Sequence, residues 1–191
     1  MNTTKENLLQ KGAELFLLQG YHATGIGEIT NAIDVSKGSF YNHFKKKEKF
    51  VVQILDDFGT VLAKEHTDAL SDIKYTPFNR IVVFYEEKIN KVIHSEQFLK
   101  GCLISNMCQE IADKSDMIAQ SIDKAYVGMH KALKNCLEEA KKSNQITDNV
   151  DTDLMAEFII NSWNGALMRV KASRNSKALD AFLEFLKSIR T

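Results

Sequence analysis

Residues 24–48, TGIGEITNAIDVSKGSFYNHFKKKE, decide how this chain is to be read. Thr24 stands where a residue can cap a helix whose apolar positions, Ile26, Ile29 and Ile33, fall three and four apart. Asp34 and Val35 read as a tight turn, and Ser36 as the cap of the next helix, Lys37 to about Phe44. Two short helices across a tight turn, the second ending in aromatic and basic residues, are the layout of a helix-turn-helix.

The segment 36–44 has the chemistry such a unit needs at a nucleic-acid surface. Lys37, in the first turn, can reach a guanine edge or a phosphate, and Ser39 adds a short donor. Gly38 permits close approach. Tyr41 and His43 can hydrogen-bond phosphate oxygens, and Asn42 suits a base edge or a phosphate. Phe40 and Phe44, four apart, face the other way and anchor the helix in a core. Thr24 and Lys47, at the two ends of the motif, are expected to clamp flanking phosphates. The alternative is an ordinary helical hairpin whose lysine run is only solvated.

Outward from this motif, residues 4–19 suit an amphipathic helix through Leu8, Leu9, Ala13, Leu15 and Phe16, with Gly20 as its stop. A fourth helix is expected from about Lys47 to Leu70, with Glu48 favourable at its start. Pro77 opens a fifth, running to about Ser95, and Gly101 marks a break. Further helices are expected near 104–111, 115–143, 151–173 and 176–190. With a single proline, nine glycines and no strand-like alternation, the chain reads as all-α, with about nine helices.

Apolar residues make up 44% and charged residues 26% of the 191, as in an ordinary globular protein. The net charge is zero, which does not suit a protein that coats nucleic acid along its length. Residues 1–50 nevertheless carry seven lysines against five acidic residues, and Lys45, Lys46, Lys47 and Lys49 sit together. Three cysteines provide no complete disulfide framework. The segment MNTTKENLLQ lacks the apolar run of a signal peptide, and no stretch is long and apolar enough for a bilayer, so a cytoplasmic location and no membrane partner are expected.

The motif also resembles the N-terminal domain of the TetR family of bacterial transcriptional regulators. The resemblance rests on Thr24, Ile29, Ala32, Val35-Ser36-Lys37-Gly38-Ser39, Phe40-Tyr41, His43-Phe44 and Lys47-Glu48 in order and spacing. Two departures stand out: Asp34 where the family usually has glycine in the turn, and Lys46 where a serine often caps the fourth helix. The resemblance implies an N-terminal three-helix DNA-binding domain, residues 1–47, and a helical effector-binding and dimerisation domain, residues 48–191. It also implies a homodimer on a palindromic double-stranded DNA operator, its recognition helices about 34–36 Å or somewhat more apart. A small-molecule effector in the body would then release the DNA.

Two readings of the sensing site stay open. Cys102, in KGCLI just before the sixth helix, can have thiolate character from the helix dipole and Lys100. The stretch 101–125 resembles the matching region of NemR-type regulators, which sense electrophiles through a cysteine at the position of Cys102. Equally, Cys102 can be a small packed hydrophobe. Cys108 falls on a different helix face, and Cys136 reads as filler. The other reading is an apolar pocket, whose candidates are Phe84, Met107, Met129 and Trp163 on the helices that enclose the family's pocket.

Between Leu154 and Val170 apolar residues cover nearly every side of the helix, and the last helix has a broad apolar face. Pairing of these two helices with a second copy is expected, burial within one chain being the alternative. Scattered histidines and the absence of catalytic motifs leave no metal, cofactor or enzymatic activity expected. A DNA-binding repressor is the leading reading; a helical adaptor or a small all-α enzyme without DNA binding is the alternative.

Overall fold

The computed structural model describes residues 3–95 and 100–190. Among them nine helices and no strands are found: α1 Thr4–Ala23, α2 Ile26–Asn31, α3 Lys37–His43, α4 Lys47–Leu70, α5 Pro77–Ile93, α6 Leu103–Ile111, α7 Asp116–Lys142, α8 Thr152–Ser173 and α9 Lys177–Ser188. Most boundaries follow local chemistry. Thr3 and Glu6 form a capping box at the start of α1, Pro77 occupies the first turn of α5, and Asp151 accepts from the amides of Asp153 and Leu154 at the start of α8. Helix α8 ends on Arg174 in the left-handed conformation, φ 53°.

One expectation needs correction. Thr24 does not cap α2, whose N-cap is Gly25 without a side-chain hydrogen bond. Its hydroxyl instead donates back to the Gly20 carbonyl at 2.7 Å, and the side chain is fully buried. The stop at Gly20 is real: at φ 84°, ψ 177° this residue interrupts α1 three residues before its end.

The chain divides into two compact units, Met1–Thr60 with Cys102–Ala125, and Val61–Gly101 with Tyr126–Thr191. Helices α4 and α7 lend residues to both. In the first unit α1 packs on α2, α3 and α6. Its core stacks Phe40, Phe44 and Phe50 with ring centroids 4.7–5.5 Å apart, and Gly12 lets the Phe50 ring approach α1 so closely that a Cβ there would lie 2.4 Å from it.

The second unit is built on longer helices, with α9 packed on α5 and α8. Tyr85, Trp163 and Phe182 meet ring to ring at 5.0–5.6 Å in its core. Arg80, almost buried, donates to the carbonyls of Leu70 and Tyr75 and pairs with Glu139 at 2.7 Å, so its charge is fully engaged. Among the described residues no helix is long and apolar enough to cross a membrane.

Candidate nucleic-acid interface

The turn between α2 and α3 closes as the cap chemistry dictates. Asp34 takes the left-handed conformation at φ 54°, the position where glycine is otherwise favoured and where aspartate is tolerated. The Val35 amide donates to the Thr30 carbonyl, and the Ser36 hydroxyl accepts from the Ser39 amide at 3.1 Å, starting α3. Burial of Phe40 and Phe44 then fixes which side of α3 faces out.

Lys37, Gly38, Tyr41, Asn42 and His43 are exposed, and Ser39 is half-buried. Lys37 lies with its stem over Gly27 of α2, where a Cβ would come within 3.0 Å of its Cε. Tyr41, half of its surface open, stands edge-on to Phe40 at 5.4 Å. Lys45, Lys46 and Lys49 are exposed beside it. The open face of α3 therefore offers an ammonium, a phenol, a carboxamide and an imidazole within two turns. That set matches what phosphate and base-edge contacts require.

Thr24 and Lys47 are placed differently. Besides the buried Thr24, Lys47 is half-buried, and its Nζ donates to the Tyr21 carbonyl and lies 4.1 Å from the Tyr21 ring centroid. Burial lowers its pKa, opposed by the Glu110 charge. Both side chains are engaged at the corner between α1 and α2.

The expected sensing residues are distributed over both units. Cys102 is half-buried at the N-cap of α6, and Cys108 is exposed on the same helix. Cys136 is buried, donates to the Pro77 carbonyl, and has its thiol pushed up to about 12 by burial, which leaves it unreactive. Met107 is fully buried in the first unit, whereas Phe84, Met129 and Trp163 are buried in the second. Phe84 and Trp163 both meet Tyr85, at 5.2 and 5.3 Å.

Two residues near this cluster carry no signal in the sequence pattern. Tyr85 has its pKa raised by complete burial. His66 is buried edge-on to Phe84 at 4.6 Å; burial, with Lys88 nearby, pushes it down to about 4. Its Nδ1 lies 2.7 Å from the Leu62 carbonyl, so the neutral ring keeps its proton there. Among the described residues no group of His, Cys, Asp and Glu is placed to hold a metal ion.

Known proteins resemble the chain along almost its whole length. Residues 8–54 match "Bacterial regulatory proteins, tetR family", and residues 77–186 match "Tetracyclin repressor-like, C-terminal domain". The chain belongs to the TetR family. It is 34% identical to the HTH-type transcriptional repressor DhaR of Mycobacterium sp. strain GP1, over 94% of this chain and 88% of that one. It is 28% identical to the HTH-type transcriptional repressor NemR of Escherichia coli K12, over 97% and 93%. The crystal structure of reduced E. coli NemR superposes with a TM-score of 0.91, covering 98% of this chain and 97% of that one.

As a TetR-family member the chain is a DNA-binding transcriptional regulator, not an enzyme, and α3 is the second helix of its helix-turn-helix. The all-α architecture and the capped turn read from residues 24–48 hold in the structure. The family's glycine in that turn is replaced without loss of the backbone conformation it serves, since Asp34 adopts it.

Proposed function

We propose that this regulator is a repressor that binds a palindromic operator as a homodimer and is released by a small apolar ligand or a reactive electrophile. Residues 1–47 form the reading domain and residues 48–191 the effector and pairing domain. The observation that carries the reading is α3, with Phe40 and Phe44 buried while Lys37, Gly38, Tyr41, Asn42 and His43 stay open beside three exposed lysines. With Ser39, these residues make the DNA contacts. Thr24 and Lys47 act by holding the corner that leads into α2. Both DhaR and NemR are named as repressors, which supports repression over activation. Such a regulator works in the cytoplasm, where the operator is.

The pairing face lies on α8 and α9. Leu154, Phe158 and Met168 on α8 and Phe185 on α9 are 49–68% exposed, and the Phe158 and Phe185 rings touch at 5.5 Å. The opposite side of α8, from Ala156 to Val170, is buried in its own unit. Gly165 adds open space on the helix, with nothing within 4 Å of a Cβ built there. An apolar face of this size on a regulator that must span two half-sites favours a second copy as its cover.

A salt titration on the operator tests DNA reading. With about four cationic phosphate contacts per head, the dimer's log–log slope should be about −7, and a slope near zero would sink the assignment. For release, the half-buried Cys102 at the start of α6 is the candidate trigger, and the existence of a distinct reduced form of E. coli NemR lends a redox reading support. The apolar residues Phe84, Met107, Met129 and Trp163 are the candidates for a ligand. Cys102→Ser should stay on DNA in the presence of a quinone. Release as ready as that of wild type assigns the trigger to the apolar residues instead.

A further inference from the structure

The corner between α1 and α2 is held by side chains that come from far along the chain. At Gly20 the helical ladder breaks, and the amides of Tyr21 and His22 turn to Glu110 on α6. Tyr21 N–H donates to Oε2 at 2.8 Å and His22 N–H to Oε1 at 2.7 Å, one carboxylate oxygen for each amide. Gly20 makes the room, because a Cβ there would stand 2.4 Å from the same Oε2. The carbonyls of the corner are met as well, that of Tyr21 by Lys47 and that of Gly20 by Thr24. Burial of Leu103, Ile104, Met107 and Ile111 fixes α6, so the Glu110 carboxylate is held where the corner needs it.

The corner feeds directly into α2, and α2 packs on α3. Gln19 extends the bracing by donating to Glu28 of α2 at 2.7 Å. The Tyr21 ring stacks on Phe16 at 6.1 Å, and Phe16 in turn meets Phe50, so the corner borders the aromatic core in which Phe40, Phe44 and Phe50 pack on one another. His22 and Ala23 are exposed. Loss of the carboxylate would remove the acceptors of the Tyr21 and His22 amides and so loosen the corner.

We propose that Glu110 is a positioning residue for DNA reading: its carboxylate fixes the α1–α2 corner and thereby the pose of α3, without contacting DNA. A positioning role and a merely stabilising one make different demands. Sequence-specific binding requires α3 at one angle, whereas non-specific attraction to phosphate requires only the charges.

The experiment uses the full chain. A duplex is selected by the wild-type protein from a random library, which tests DNA reading by itself. Affinities of wild type, Glu110→Gln and Glu110→Ala are then measured for that duplex and for a scrambled one, with thermal unfolding and amide exchange alongside. Glu110→Ala should lose about ten-fold or more on the selected duplex, two charge-assisted hydrogen bonds being removed. Binding to the scrambled duplex should stay within about two-fold, as expected of unchanged phosphate contacts. The Tyr21 and His22 amides should exchange faster. Glu110→Gln, which keeps one acceptor, should fall between. Wild-type affinity of Glu110→Ala for the selected duplex overturns the proposal, as does an equal proportional loss on both duplexes. If Glu110→Ala fails to fold, the same comparison made with Glu110→Gln decides.

Discussion

Helices α3 and α8 each bury one side and leave another open, yet the open sides have nothing in common. On α3 the open residues are Lys37, Gly38, Tyr41, Asn42 and His43; on α8 they include Leu154, Phe158 and Met168. The first face is polar and suits a hydrated polyanion, whose attraction weakens with salt. The second is apolar, and on the proposed pairing its association should respond to dilution more than to salt. Exposure alone does not name a partner; the chemistry of what is exposed does.

The comparison can be broken at its apolar side first. Phe158→Glu combined with Phe185→Glu should leave single chains in analytical ultracentrifugation, since charge would replace both touching rings. Operator affinity should then fall by about a hundred-fold or more, because two linked heads become two independent ones. A double variant that still sediments as a pair would place the pairing face elsewhere.

Acid should destabilise the chain through His66. Burial, with Lys88 nearby, pushes His66 down to about 4 in the folded chain, against an ordinary value of 6.5. The unfolded chain therefore takes up the proton first. The stability this confers is fully present above about 6.5 and is lost as pH falls toward 4, by about 3 kcal/mol in all. Thermal unfolding between pH 7 and 4 should show the loss, and His66→Phe should flatten that dependence.

On the polar side, Lys37→Ala and Asn42→Ala should each weaken operator binding by about 1–3 kcal/mol if they read a base edge. A phosphate contact would instead lower the salt slope by about one per head and leave sequence preference intact. Competition against point-mutated operators distinguishes the two. The smallest effect belongs to the turn. Asp34→Ala should reduce stability by about 1 kcal/mol at φ 54°, whereas Asp34→Gly should be close to neutral, as chemical denaturation would report.

What was legible in the sequence was what neighbouring residues decide among themselves. Ser36 caps α3 through an amide three residues on, Asp34 turns the chain alone, and Pro77 starts α5 with its own ring. The open face of α3 followed from Phe40 and Phe44, four apart. Thr24 misled because two outcomes look alike locally: a threonine before a helix can cap it or bond backward, and burial against the corner chose the second. The Glu110 carboxylate was invisible for a different reason. Its partners lie 88 and 89 residues away, and no periodicity encodes which helices become neighbours. On α8 the apolar pattern ran almost all round, so burial within the chain and cover by a second copy could not be told apart by spacing. His66 reads in the sequence only as one of several scattered histidines, because a single histidine on a long helix has no pattern until Phe84 closes over it.

The face shared by Leu154, Phe158, Met168 and Phe185 has a genetic consequence. On the proposed pairing, a chain with a damaged α3 but an intact face still takes partners. Expressed equally with the wild type, it would sit in about three of every four pairs. Alleles that damage the reading helix should therefore be dominant, and alleles that destroy the face should be recessive.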